Sequence, residues 1–314
     1  MISNLFRKLL GYLSFFYKNN LKLVIKNNPI ILKTIKKKLS KMSFKNKNLK
    51  KTHNTFNKKI IYILKKEKLT SFLRNSFVQK IFFVHNRLFI LKELIKLKND
   101  KKWKFYKKII IEDNVGDPVR YFLYPKSSGN RINHVYHLSV MSSEFNVNLK
   151  KINKVFEFGG GYGCMARIFS KINKKIFYTC FDTNYVNLLQ YYYLKQNNLN
   201  VGFEKKNNYF LISNFSENKK FLLKKFHNHF FIANWSISET PLKFRERFLK
   251  IIENSKFILI SFQEYFEGID NLSYFSKLKK KLDKNFHIKI LKNPYYNGNI
   301  FRRQNHYFLI GKKL

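Results

Sequence analysis

The chain has 314 residues, 45% of them hydrophobic, which is enough for a sizeable core in one large domain or two modest ones. Its net charge of +45 rests on 53 Lys against 10 Arg, beside 37 Asn, 34 Phe and 2 Ala. That skew follows A/T-rich codons and weakens the inference to phosphate binding, for which Arg is the better residue. Two cysteines, Cys164 and Cys180, exclude a disulfide framework and read as small apolar residues of a reducing compartment.

The opening stretch "MISNLFRKLLGYLSFFYKNNLKLVIKNN" has a longest uncharged run of nine residues, Leu9 to Tyr17, too short to span a bilayer. No small-residue cleavage site follows it, so a cytoplasmic protein is expected. Residues 1–110 hold 30 basic and 3 acidic residues, whereas residues 111–314 hold 33 and 15. The first part is expected to be a basic, mainly helical region and the second the catalytic domain. In "SFLRNSFVQKIFFVHNRLFILKELIKL", Phe72, Phe77, Ile81, Val84, Leu88, Leu91 and Leu94 recur at helical spacing and predict one face of a long helix. "KKIIYILKKEKL" predicts a shorter basic helix. Such an arm could lie on phosphates or on an anionic membrane surface; it could equally cap its own domain with a solvated lysine face.

After "IEDNVGDP" a polar stretch, "YPKSSGNR", leads to a predicted helix, "INHVYHLSVMSSEF". Strands are predicted at 154–158, 176–181, 209–213, 229–234 and 256–262, separated mostly by helices such as "TNYVNLLQYYYLKQNN" and "TPLKFRERFLKIIEN". "FHIKIL" and "NHYFLIG" close the chain as two strands joined by "KNPYYNGNIFRRQ". Alternation of strand and helix predicts a Rossmann-like α/β sheet of parallel strands, and the final pair an antiparallel hairpin at its edge. That is the outline of a class I methyltransferase.

The strand at 154–158 ends in "VFEFGGGYG", where Gly159, Gly160, Gly161 and Gly163 cluster in a chain of 11 glycines. A strand–glycine–helix junction offers free backbone N–H groups and a positive helix end to a ligand. Gly161, Gly163 and Ala166 satisfy a dinucleotide fingerprint, with Asp182 about 20 residues further on. Glu157 favours S-adenosylmethionine (SAM) instead. A carboxylate inside the strand is costly beside a pyrophosphate but suits the cationic amine and sulfonium region of SAM. Asp182 ends the next strand, where it can take ribose hydroxyls or cap the helix that follows.

Four segments, "VFEFGGGYGCMARIF", "YTCFDTNYVNLLQYYYL", "NWSISETP" and "SFQEYFEGIDN", resemble the sugar O-methyltransferases of bacterial surface-polysaccharide clusters, over roughly residues 111–311. The glycine loop is common to SAM enzymes, while the tyrosine-rich helix and the "SISE" segment are more particular. Thr183 and Asn184 stand where that family usually has Leu-Pro, and "SET" where it usually has "SEM". The resemblance implies SAM as cofactor, held by Glu157, Gly159, Gly160, Gly161, Tyr162, Gly163, Asp182 and Asn234. It implies a sugar or nucleotide-sugar as acceptor.

Methyl transfer needs a base for the acceptor hydroxyl, placed beyond the carboxyl ends of the strands. That criterion selects Asn234, Ser236, Ser238 and Glu239 after the fourth main strand, and Gln263 and Glu264 after the fifth. Glu239 is the first candidate base, although "SETP" also reads as a helix start with a first-turn acid. His134 and His137, on the helix before the glycine loop, come second. His227 and His229 fall at the wrong end of their strand. A divalent metal could lower the hydroxyl pKa instead, but Glu264, Glu267 and Asp270 match no metal loop, so that route stays open and unsupported. The net charge keeps an RNA methyltransferase as the alternative, with an NAD-dependent oxidoreductase third and a non-catalytic basic adaptor fourth. "NPYY" at 293–296 reads as a turn, not a base-holding motif.

Overall fold

The computed structural model describes residues 26–42, 51–66, 69–82, 88–295 and 304–314, with Leu9 and Val84 as isolated positions. The rest of the Leu9–Tyr17 run, Tyr296 and the Asn297-Gly298 turn lie outside the described residues. Helices α1 (Pro29–Ser40), α2 (Lys51–Lys66), α3 (Ser76–Phe82), α4 (Leu88–Lys98) and α5 (Trp103–Ile109) precede the sheet. The first begins where Asn28 accepts the Ile30 N–H at 2.9 Å and Pro29 supplies a fixed φ. It buries Ile31, Ile35 and Leu39, one per turn.

The long helix expected over residues 72–94 is not continuous. Residues Leu69–Arg74 form a 3-10 turn, kinked at Ser71, and the Asn75 side chain then accepts the Phe77 N–H at 3.0 Å to start α3. Beyond α3, the Val84 N–H donates to the Asn130 side chain at 3.1 Å, a partner distant in sequence. In α4 the buried face is Ile90, Glu93, Leu94 and Leu97, one position away from the predicted one. Its polar member is matched by Asn133, whose amide donates to the Glu93 carboxyl at 2.9 Å.

The polar stretch at 124–131 carries structure that its composition did not announce. A small antiparallel ribbon, β1 (Arg120–Tyr121) and β2 (Tyr124–Ser128), leads into α6 (Gly129–Glu144). Ser128 caps α6 by accepting the Arg131 N–H at 3.1 Å, so the helix starts three residues before the predicted Ile132.

From there the chain alternates as read: β3 (Lys154–Phe158), α7 (Cys164–Ile172), β4 (Phe177–Phe181), α8 (Asn184–Gln196), β5 (Val201–Gly202), β6 (Tyr209–Ile212), α9 (Phe215–Lys225) and β7 (His229–Asn234). The segment predicted as one helix at 240–254 is broken into α10 (Leu242–Arg245), a 3-10 turn and α11 (Leu249–Glu253). Arg245 turns inward there, donating to the carbonyls of Ser238 and Thr240 and to Asn271 Oδ1, each at 2.8 Å. β8 (Ser255–Gln263), a short ribbon of β9 (Tyr265–Phe266) and β10 (Ile269–Asp270), α12 (Asn271–Leu282), β11 (Phe286–Lys292) and β12 (His306–Lys313) complete the fold.

The main sheet has the order β11-β12-β8-β7-β3-β4-β6-β5. All pairings are parallel except those of β12, which runs against both β8 and β11. Alternate residues of each strand serve opposite faces. Val155, Tyr178, Phe230 and Leu259 join one core with α6, α7, α8 and the N-terminal helices. Phe156, Phe181, Phe231 and Ile260 join the other with α9, α11 and α12. Tyr191, Tyr192 and Tyr193 of α8 are all buried because the N-terminal layer covers them. Phe72 meets Tyr192 and Tyr193 edge-on at 5.9 and 6.3 Å, and the Tyr192 hydroxyl donates to Asn27 at 2.6 Å. No helix among the described residues is long and apolar enough to cross a membrane.

One cation fastens these layers. Arg131 is fully buried and pairs with Glu112 at 2.7 Å and Asp113 at 3.0 Å, while donating to the Tyr193 hydroxyl at 2.8 Å. Asp113 also holds Arg167 at 2.8 Å and Lys171 at 3.3 Å. Burial alone would raise the Asp113 carboxyl, but the three cations together hold it well below its ordinary value. Removing one partner of such a pair leaves an uncompensated buried charge, at a cost of about 3–5 kcal/mol. Arg131→Met should therefore lower stability in urea by that amount, and adding Glu112→Gln should recover part of it. A single-variant loss below about 1 kcal/mol would rule out this role.

Candidate functional site

The turn after β3 is crowded from both sides. The Gly159 N–H donates to the Phe181 carbonyl at 2.7 Å with φ of 74°, and a Cβ there would collide with the Ser236 side chain. Ser236 is held in place by donating its hydroxyl to the Phe158 carbonyl at the end of β3. A Cβ at Gly160 would strike Cys180 Sγ and lie 2.8 Å from Glu157 Oε2. Glycine is required at both positions by Ser236, just past β7, and by Cys180 of β4 and Glu157 of β3, before any ligand is considered. Gly163 (φ 99°) opens α7 without a side-chain cap, leaving the helix N-terminus to backbone N–H groups. A Cβ at Gly161 would come within 3.1 Å of the Phe82 ring, so the end of α3 lies directly over the turn.

Tyr162 was expected among the cofactor contacts. Its side chain points into the core, accepting the Asn130 amide at 3.0 Å and packing on Phe72 and Tyr193. It anchors the turn to the N-terminal layer, and only its backbone is available to a ligand.

Three carboxyls stand at the carboxyl ends of neighbouring strands. Glu157, in β3, is buried and accepts the Tyr178 hydroxyl at 2.7 Å. Asp182, just past β4, accepts the N–H groups of Gly161 at 3.1 Å and Thr183 at 2.7 Å and the Gln190 amide at 3.3 Å. Glu239, past β7, accepts the Gln263 amide at 3.2 Å, and Gln263 in turn accepts the Ser238 hydroxyl at 2.8 Å. Among the described residues none of the three is in an ion pair, although the chain carries 63 Lys and Arg. Desolvation raises each of these carboxyls to about 7, with Glu267 adding to the effect at Glu239. Glu239 remains exposed as a residue while neighbouring protein desolvates its carboxyl. It also lies in its own 3-10 turn, Ile237–Glu239, ahead of α10, and so is not the first-turn acid of that helix.

The two candidate histidines differ. His134 is half-buried and its Nδ1 faces the Asn130 carbonyl at 2.8 Å, so that nitrogen carries the proton and Nε2 a lone pair. His137 is fully buried, with Nδ1 3.0 Å from Asn234 Oδ1 at the end of β7. Burial pushes its pKa down to about 3, aided by repulsion from His134. Burial thus disfavours a proton on the His137 ring and favours one on the Glu239 carboxyl. His229 lies at the opposite end of β7, as expected.

Metal-binding geometry does not emerge: among the described residues no three His, Cys, Asp or Glu side chains could jointly hold an ion. Glu264 instead accepts the Asn305 amide at 3.1 Å, and Asp270 caps α12 through the Ser273 N–H at 2.8 Å. Both cysteines are free and buried, and Asn293 closes a turn by accepting the Tyr295 N–H at 3.0 Å. Sequence reasoning did not find Tyr178, Gln190, Ser261 or Phe82 in the site; each arrives from another element and carries no local signal.

The glycine turn follows the first parallel strand of an order in which β4 and β6 lie on one side and β7, β8, β12 and β11 on the other. This is the class I methyltransferase fold. No protein-family profile and no curated protein sequence matches the chain. Solved structures resemble it at low identity. Magnesium protoporphyrin IX methyltransferase of Synechocystis PCC 6803, with SAM bound, matches over 72% of this chain and 99% of its own at 12% identity and TM-score 0.37. The fibrillarin pre-rRNA processing protein of Methanococcus jannaschii matches over 53% and 69% at 12% identity and TM-score 0.37. Precorrin-6y C5,15-methyltransferase of Geobacter metallireducens GS-15 matches over 59% and 88% at 12% identity and TM-score 0.35. The fold assignment rests on the strand order.

Glu157 gives a test that separates a site residue from a packing residue. Its pKa is raised in the folded chain, so its contribution to stability is full at low pH and is lost as pH rises from its ordinary 4.5 through about 7. Glu157→Gln, which cannot ionise, should match the ligand-free wild type in urea stability near pH 4. At pH 8 it should be more stable by on the order of 1–3 kcal/mol. A variant less stable than wild type at pH 8 would contradict this account of the site.

Proposed function

We propose that the chain is a SAM-dependent O-methyltransferase acting on a sugar hydroxyl, in the assembly of a surface polysaccharide or its nucleotide-sugar precursors. The observation that supports this reading is the set of three desolvated carboxyls without a counter-cation around the glycine turn of a strongly basic protein. A cationic ligand with vicinal hydroxyls is the complement of that set, and the crowded backbone at Gly159 and Gly160 gives it a flat bed. A dinucleotide fits worse, because its diphosphate would face Glu157. Polyanionic RNA is favoured by the net charge alone, and its backbone would meet the same acids.

In this reading the residues at hand divide the work. Glu157 faces the methionine amine, Asp182 takes the ribose hydroxyls, and the N–H groups at the start of α7 receive the carboxylate. Bound SAM supplies a methyl group on a sulfonium, ready for in-line displacement. Glu239 accepts the proton of the attacking hydroxyl, oriented by Gln263 and Ser238. Residues 1–110 serve as a cap on the catalytic domain at 111–314, with the lysine-rich helix faces left for contact with an anionic surface.

Three measurements test the reading. Because a cation must find its carboxylates ionised, SAM affinity measured by calorimetry should tighten as pH rises to about 7 and then level off, with protons released on binding below that point. Micromolar NAD affinity without SAM affinity would exclude it. With labelled SAM and a cell extract, label should enter carbohydrate; label in RNA would establish the other acceptor. Glu239→Gln should leave SAM affinity unchanged and lower turnover about 10²–10⁴-fold, and near-normal turnover would exclude Glu239 as the base.

A further inference from the structure

The end of β7 holds a second polar arrangement that the base and the cofactor contacts leave unused. Asn234 Oδ1 lies 3.0 Å from His137 Nδ1 and 3.1 Å from the Ser261 hydroxyl, which donates to it. An amide oxygen only accepts, so His137 Nδ1 carries the hydrogen and His137 Nε2 presents a lone pair. That Nε2 and Asn234 Nδ2 are both buried, and neither has a hydrogen-bond partner among the described residues. The pair therefore offers one unmet acceptor and one unmet donor group, the Asn234 amide NH2. Turning the Asn234 amide over exchanges the two roles but still leaves one of each.

This complement is selective. A carboxylate would require donors only, and an ammonium acceptors only. A polyol, whose hydroxyls each donate or accept, can meet both demands, one hydroxyl at each group.

The surroundings suit a sugar. Trp235 and Phe308 pack edge-on against the His137 ring at 5.3 and 4.9 Å, making apolar walls around the polar pair. Trp235 is partly exposed and lies on the solvent side of His137. Its φ of 56° is a strained conformation for a bulky residue, and its indole N–H is fastened to His306 Nδ1 at 2.9 Å. His306 is the register partner of Gln263, which donates to Glu239. The roof over the polar pair thus belongs to the same wall of the cleft as the carboxyl assigned to proton removal.

We propose, resting on the methyltransferase reading above, that His137 and Asn234 each bind a hydroxyl of the acceptor sugar, with Trp235 as the roof that shifts to admit it. Asn234 is then an acceptor-binding residue and not a cofactor contact, and His137 is a neutral hydrogen-bond acceptor and not the base. Ser261 is a positioning residue that fixes the amide.

The test is nitrogen-15 NMR of histidine-labelled full-length protein, with S-adenosylhomocysteine as the cofactor probe and methyl glycosides of hexoses, 6-deoxyhexoses and amino sugars as acceptor probes. Expected is a His137 Nε2 resonance unmoved by S-adenosylhomocysteine alone and shifted by at least one glycoside. The same glycoside should change Trp235 fluorescence in a Trp103→Phe background. Asn234→Asp keeps the acceptor for His137 and Ser261 but has no N–H; it should lose the glycoside shift and keep S-adenosylhomocysteine affinity. Movement of Nε2 by S-adenosylhomocysteine alone would reassign the pair to the cofactor. An Nε2 that no glycoside moves would overturn the proposal. Failure of S-adenosylhomocysteine to bind in calorimetry would instead strike the methyltransferase reading, and a glycoside shift seen in that case would still stand.

Discussion

The buried guanidinium of Arg131 is the contact on which the arrangement of this molecule depends. It joins the segment before the ribbon, through Glu112 and Asp113, to α8 through Tyr193, and Asp113 carries the link on to α7 through Arg167 and Lys171. Because Arg131 belongs to the first turn of α6, the same network sets the height and rotation of the helix that carries His134 and His137. A charge this deep is tolerated only with its partners in place, so the position of α6 is specified closely. The cleft inherits that precision.

Around the cleft the electrostatics are inverted relative to the rest of the chain. Lysines cover the helices, yet among the described residues Glu157, Asp182 and Glu239 are in no ion pair, and desolvation raises their pKa values. Leaving carboxyls unpaired in a protein with so many available ammonium groups costs stability, and such costs gather where a ligand relieves them. The wall from Trp235 through His306 and Gln263 to Glu239 has a different character, with aromatic surface and neutral hydrogen bonds.

Much of the sheet was legible because strands in a parallel core are short apolar runs whose boundaries depend on local residues. Seven of the eight strands of the main sheet fall within two residues of their expected bounds, β5 being the one not foreseen, and the carboxyl ends of those strands located the candidate acids without further information. Three kinds of feature were not legible. The break at Ser71 to Asn75 is set by a capping amide that competes with helix propagation, and apolar spacing does not register it. β2 pairs through serines whose partners, Ile110 and Glu112, lie outside the strand. The direction of a side chain is the third kind. Tyr162 faces Phe72 and away from the cleft because of a layer formed nearly a hundred residues earlier, and His137 is drawn to Asn234 across the sheet. Local sequence lists the groups available, whereas long-range packing decides which of them share a cavity.

The contact between Phe72 and the tyrosines of α8 has a consequence for synthesis. Phe72 packs on Tyr162, Tyr192 and Tyr193, so the apolar faces of the first helices find their partners only after another 90 to 120 residues have been made. At elongation rates of about 5–20 residues per second, that interval lasts on the order of 5–25 seconds. Throughout it the nascent chain is a string of amphipathic, lysine-rich helices with nothing to cover them. Its positive charge keeps such chains apart from one another while drawing them toward the anionic ribosome surface, so the same lysines that solvate the finished protein also act on it before it has a core.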